Sequence, residues 1–245
     1  MIKTLGLILK KQNVGETDRI ITIFSPTLGK KRVIARAVRK PTSKLAGHLD
    51  TFMVSQLMLT DQPDLPKVTS ALMVESFESV RDSLVNLNRA FAISQIVERV
   101  ALEDVSQQSI FQLTLDALVR LNDDHRWPVV WLSFLSNLTD HLGLDVRNFQ
   151  CEKCAKPIRS AAYYLPSARV FYCQQCCSDR SGIFLEPNAV KLLYLLKNQT
   201  YSQLAKIALP LPVAQPLEEL FLREITEWFT HPWLHYAALR KAGEQ

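Results

Sequence analysis

All five cysteines of this 245-residue chain fall in one stretch, "CEKCAKPIRSAAYYLPSARVFYCQQCC", residues 151–177. Two Cys-x-x-Cys pairs face each other across an 18-residue spacer, and no other feature restricts the fold so tightly. Two pairs at this separation suit four thiolates on one tetrahedral ion. A redox site needs a single pair at a strand–helix junction, and disulfides suit secreted chains. Here the apolar start is broken by Lys3 and ends at Lys10–Lys11, too short for the apolar core of an export signal. The longest uncharged apolar stretch, Trp127 to Thr139, is well below the ~20 residues of a membrane helix. A reducing cytosolic setting follows as the expectation, with one structural Zn2+ per chain.

Each Cys-x-x-Cys forms a knuckle that points two sulfurs at one ion. Between the knuckles, Ala162–Tyr164 and Val170–Tyr172 read as short strands around a Pro166-Ser167-Ala168 turn, the layout of a zinc ribbon. The ligands are then Cys151, Cys154, Cys173 and either Cys176 or Cys177. The two-residue spacing of the first knuckle favours Cys176. A catalytic zinc keeps an open position and a nearby base. None of His48, His125, His141, His231 and His235 has a glutamate two residues later, and Gln150 and Tyr172 precede the knuckles where a deaminase has proline. Four thiolates close the coordination sphere, so the expected role is structural.

Glycine spacing removes other chemistries. Gly6, Gly15, Gly29, Gly47, Gly143, Gly182 and Gly243 make neither a phosphate-cradling loop nor a dinucleotide turn, and no Gly-x-Ser-x-Gly elbow exists. No catalytic constellation stands out, and the chain is expected not to be an enzyme.

The net charge of +5 is unevenly spread. Residues 1–50 hold eleven Lys/Arg against Glu16, Asp18 and Asp50, a net of +8, so the other 195 residues sum to −3. A basic N-terminal region on a near-neutral body points to a polyanion, most often nucleic acid. The region reads as β. Thr4–Lys10, Arg19–Phe24, Lys31–Val38, Thr51–Leu59 and Lys67–Val74 alternate with turn signals, as in a small barrel or sandwich.

The densest basic run is "KKRVIARAVRKPTSK", which holds Lys30, Lys31, Arg32, Arg36, Arg39, Lys40 and Lys44 with no acid. As a strand it would place Arg32, Arg36 and Lys40 on one face. Such a strand can simply be an edge protected by charge. Its continuation into a Pro-Thr-Ser-Lys loop favours phosphate binding. Phe24, Phe52 and Phe77, the aromatics of the first 80 residues, sit in apolar runs suited to a core. Contact is therefore expected to be ionic and blind to base sequence.

From Leu84 the apolar period changes to that of helices. One stripe runs through Leu87, Ala90/Phe91, Ser94, Val97 and Val100/Ala101. A second takes in Ile110/Phe111, Thr114, Ala117/Leu118 and Leu121, and a third Trp131, Phe134/Leu135, Leu138 and Leu142. After the cysteines, Pro187 opens a helix through Val190, Leu193/Tyr194 and Lys197. Pro216 is expected to open another, with Leu217, Leu220/Phe221, Ile225 and Trp228/Phe229 buried.

A basic barrel followed by a helical body with a four-cysteine insert resembles the bacterial recombination mediator family RecO. The resemblance is carried by "GLILKKQNVGETDRIITIFSPTLGKKRVIARAVRKPTSKL" (6–45), "VESF" (74–77), the paired knuckles and "SGIFLEPNAVKLL" (181–193). Two places depart: Ala37 stands where the family usually has glycine, and "LDTF" (49–52) replaces a usual Leu-Gln-Pro-Phe.

The resemblance implies an α+β multi-domain chain. An OB-fold β-barrel would occupy residues 1–80, a helical domain 81–150 and 178–245, and an inserted zinc ribbon 151–177. It implies binding of single- and double-stranded DNA and annealing of complementary strands. It also implies partnership with RecR and with the tail of single-strand-binding protein, and through them loading of RecA, in a bacterial, nucleoid-associated setting. For that acidic, apolar tail, Arg120 and Arg126 beside Trp127 and Trp131 are the candidate docking residues. The competing reading is a zinc-ribbon factor of transcription or translation, which would bind sequence-specifically and not anneal.

Overall fold

The computed structural model describes residues 1–228 apart from 63, 124–125, 145, 147–148 and 178–181, with no side-chain description for 227–228. They divide into two compact units after Asp123.

The first unit begins with five strands: β1 Ile2–Val14, β2 Asp18–Ser25, β3 Gly29–Ala35, β4 Val54–Leu59 and β5 Val68–Glu75. They pair antiparallel in the order β3-β2-β1-β4-β5. The sheet closes where Ile34 makes a parallel bridge to Lys67 and donates its N–H to the Pro66 carbonyl at 2.9 Å. Closure of five strands with a parallel β3–β5 contact is the OB-type barrel. Its interior is filled by Ile8, Ile21, Ile23, Val33, Leu57 and Leu59, all fully buried, with their neighbours. Gly29, at φ +62°, is required by close approach: a Cβ there would lie 2.3 Å from the Leu102 carbonyl oxygen.

Three helices complete this unit: α1 Glu78–Arg81, α2 Leu84–Val100 and α3 Gln108–Asp123. Ser83 caps α2 by accepting the Asn86 N–H at 3.3 Å. The stripe expected on α3 is buried at every position, and Ala90, Ser94, Val97 and Val100 are buried on α2. Phe91 packs edge-on against Phe52 (4.9 Å between centroids) and Phe111 against Phe24 (5.6 Å). Within this unit α2 and α3 thus turn apolar residues toward the barrel.

The second unit contains α4 Trp127–His141, β6 Ala162–Leu165, β7 Val170–Cys173, β8 Ile183–Leu185, α5 Pro187–Asn198, α6 Tyr201–Leu204 and α7 Leu211–Trp228. The three strands form a small antiparallel sheet in the order β7-β6-β8. α7 begins a turn before the proline expected to open it, and Pro216 lies inside the helix. As the sixth residue, Pro216 lies past the four N–H groups of a helix that lack partners, so it forgoes one helical bond, to the carbonyl of residue 212. Leu217, Leu220, Phe221 and Ile225 are buried as their spacing predicts, while Trp228 and Phe229 fall outside the described side chains. Tyr194 departs from its expected stripe and is exposed. Among the described residues no helix is long and apolar enough to cross a membrane.

Candidate nucleic-acid interface and metal centre

β3 ends at Ala35, and residues 36–39 form a turn. The single strand face expected for Arg32, Arg36 and Lys40 is therefore not formed. Strand pairing stops because Asp18 captures the chain: Arg36 Nη1 donates to its Oδ2 at 2.6 Å and the Ala37 N–H to its Oδ1 at 2.7 Å. These bonds, the Ala37 one foremost, hold the Asp18 carboxyl below its ordinary 3.8. Ala37 adopts φ +51° there, the left-handed region that favours glycine. Beside the second departure, Phe52, which the family pattern shares, also adopts a left-handed φ of +67°.

The seven candidate cations separate into two groups. Lys30 Nζ donates to the Glu98 carbonyl at 2.8 Å, Lys31 pairs with Asp104 at 2.6 Å, and Arg36 with Asp18 at 2.6 Å. Lys31 is largely enclosed, with 14% of its side chain exposed. Arg32, Arg39, Lys40 and Lys44 are exposed and make no ion pair among the described residues. Arg39 Nη1 touches only the Gly15 carbonyl, at 3.2 Å. Arg32 on β3, and Arg39, Lys40 and Lys44 in the turn and loop that follow, are thus cations available to phosphates. Phe24, Phe52 and Phe77 are all buried, so this surface offers no ring to a base.

In the ribbon, the sulfurs of Cys151, Cys154, Cys173 and Cys176 lie within 4.8 Å of one another. The first knuckle closes as the Ala155 N–H reaches the Cys151 carbonyl at 2.7 Å, with Ala155 at φ +56°. The second closes as the Cys176 N–H reaches the Cys173 carbonyl at 2.9 Å. The Cys177 sulfur is not part of this group. Zn–S bonds of ~2.3 Å in a tetrahedron imply sulfurs ~3.8 Å apart, and Cys154 and Cys173 sit at 4.0 Å.

Charge makes the same case. Burial raises the Cys151 thiol, but backbone N–H groups of Cys173, Cys154 and Lys153 outweigh it and bring the thiol down to about 6. Hydrogen bonding to Cys173, burial and the Cys151 charge push Cys176 up to about 12. Four thiols this close cannot all ionise unless a cation sits among them. The four cysteines are thus positioned to hold a metal ion, in a closed set that leaves no ligand position for water.

The ribbon is fastened to α7 by a group that spacing did not reveal. Glu224, fully buried, accepts the Tyr164 hydroxyl at 2.7 Å and pairs with Arg169 Nε at 3.0 Å. A glutamate inside an apolar stripe was the available signal. Of the tail-docking candidates, Arg120 lies on α3 in the first unit, and Arg126, in the second, donates to the Ala205 carbonyl. Trp127 stacks on Trp131 at 5.0 Å. Trp131 itself is 3% exposed and bonded through Nε1 to Glu218 at 2.9 Å, which makes it a core residue rather than a pocket wall.

The fold and sites define a class: a multi-domain α+β protein with an N-terminal OB-type barrel and a helical part that carries a four-cysteine ribbon. Residues 1–77 match the model of the recombination protein O N-terminal domain, and residues 81–231 that of its C-terminal domain. The chain belongs to the recombination protein O (RecO) family. It is 28% identical over 217 residues to a DNA repair protein RecO of Dehalococcoides mccartyi, covering 88% of this chain and 86% of that protein. A RecO of Roseiflexus sp. is 30% identical over 80% of this chain and 70% of its own length. One from Acetivibrio thermocellus is 29% identical over 92% and 91%. Membership places the chain in DNA repair and recombination.

Proposed function

We propose that this protein is a non-enzymatic recombination mediator of the bacterial cytoplasm. It binds single- and double-stranded DNA without sequence preference and anneals complementary strands. With RecR it helps load RecA onto DNA coated by single-strand-binding protein. Residues 1–80 act as the DNA-binding module, the later helices as its body, and residues 151–177 as a ribbon held by one Zn2+ on Cys151, Cys154, Cys173 and Cys176. The observation that carries the reading is the set of four cations Arg32, Arg39, Lys40 and Lys44, exposed and without an ion pair among the described residues. Screening phosphate repulsion while leaving bases unstacked is what lets two strands meet and pair.

Four cations on phosphates give a log–log salt slope of roughly −3 on single strands, a loss of about 50-fold between ~50 and ~200 mM salt. Replacing Arg32, Arg39 and Lys40 together with glutamine flattens that slope by roughly two units, equally for different sequences, and slows annealing. Replacing Lys31 and Arg36, already held by Asp104 and Asp18, changes it little. Titrations at several salt concentrations make the comparison. An unchanged slope in the triple variant would remove this surface as the DNA site. Strong preference for one sequence, with no annealing, would favour a transcription-type factor.

A further inference from the structure

An antiparallel sheet with one packed face usually shows polar side chains on the other. The ribbon sheet does not. Tyr164, Phe171, Ile183 and Leu185 line its buried face. On the outer face the register sets Tyr172 opposite Tyr163, and Tyr163 opposite Phe184, an aromatic row across all three strands. The Tyr163 and Phe184 rings lie 5.0 Å apart, and Phe184 is 40% exposed. The chain leading into β6 carries Lys153, Lys156 and Arg159, all exposed and without an ion pair among the described residues. Glu152 is the one acid between residues 151 and 177.

Half-exposed rings on one sheet face, in a ribbon whose entering chain carries unpaired cations, match a polymer whose flat bases are available and whose backbone is anionic. We propose that the outer face of the ribbon is a base-stacking platform for single-stranded DNA. The inference rests on the DNA-binding reading above and deepens it. The barrel loop contacts phosphates alone, since the phenylalanines of residues 1–80 (Phe24, Phe52 and Phe77) are buried. The ribbon supplies the base contact that the loop lacks. A duplex keeps its bases stacked on one another, so the platform discriminates in favour of single strands. The competing role for the same row is cross-strand support of a small sheet, which predicts no dependence on bases.

The test compares binding of the zinc-loaded protein to oligothymidylate and to an abasic strand of equal length, at salt high enough to suppress ionic binding. The intact protein should prefer the base-bearing strand roughly tenfold. Tyr163→Leu with Phe184→Leu keeps the face apolar but removes two rings, and should abolish the preference while zinc content and salt slope hold. Tyr163→Phe should retain it. Photocrosslinking of bromodeoxyuridine strands to the unaltered protein gives a readout that no folding defect can confuse, with adducts expected on Tyr163, Tyr172 or Phe184. Equal affinity for the two strands, or adducts confined to other residues, would overturn the platform and leave the barrel reading intact. Failure to bind either strand even at low salt would overturn both.

Discussion

The barrel loop and the ribbon solve the problem of a polar surface in opposite ways. The loop from Arg36 to Lys44 is pinned by Val38 in the barrel core and by the Asp18 bonds to Arg36 and Ala37, and it is presented by a barrel whose interior is apolar. The ribbon has a three-stranded sheet with strands of three or four residues, too small to stand alone in water. It takes its order from four sulfurs and from the Glu224 anchor. The lesson is that a charged binding surface can be added to a stable core at little structural cost, whereas a sheet as small as the ribbon's must be held by strong local bonds. The two regions should therefore respond differently to damage.

Metal removal should show the largest difference. Structural zinc supplies apparent binding energies of ~10–16 kcal/mol in small peptides, and here that energy would fold the ribbon. Cys154→Ser, or a strong chelator, should release the ion and unfold residues 151–177 while the salt slope of the barrel loop persists. Cys177→Ser should do neither, as its sulfur stands outside the cluster. Metal analysis with hydrogen exchange reads both, and full zinc in the Cys154 variant would refute the ligand set.

The anchor is a smaller perturbation of the same side. Glu224→Ala leaves the buried Tyr164 hydroxyl and Arg169 without their shared acceptor, a loss of about 2 kcal/mol for hydrogen bonds to a charged group. Denaturant unfolding followed by tryptophan emission should show it, since all four tryptophans lie beyond residue 123. Unchanged stability would mean that the ribbon is held by its metal alone.

The smallest effect belongs to the loop. Ala37→Gly relieves a left-handed conformation that costs an L-residue roughly 1–2 kcal/mol, partly offset by the freer unfolded chain, so a gain below about 1 kcal/mol is expected. The turn is also pH-dependent through Asp18. Its folded pKa lies below the unfolded value, so its contribution is complete above about pH 3.8 and is lost as pH falls through the lowered folded value. Following the Ala37 amide by NMR across acid pH checks this. Loss of the bond already at pH 5 would contradict the assignment.

Much of this molecule is written locally. The two knuckles, the strands around Pro166–Ala168, the barrel strands and the buried stripe of α3 all depend on spacing within a few residues, and periodicity is visible in a string of letters. So was the family, through motifs that extend over most of the chain. What spacing could not show is which polar groups meet. Lys30 and Lys31 read as binding cations until Glu98 and Asp104 reach them, 68 and 73 residues away. Trp131 reads as a pocket wall until Glu218, 87 residues on, draws it into the core. The start of α7 was misread because a proline looks the same at a helix's first turn and its second. The sequence by itself determined most of the elements, the two Cys-x-x-Cys knuckles and the excess of positive charge, because each arises from neighbours along the chain. The tertiary structure alone decided which charges are neutralised, where β3 stops and which aromatics face outward, because those depend on groups that only folding brings together.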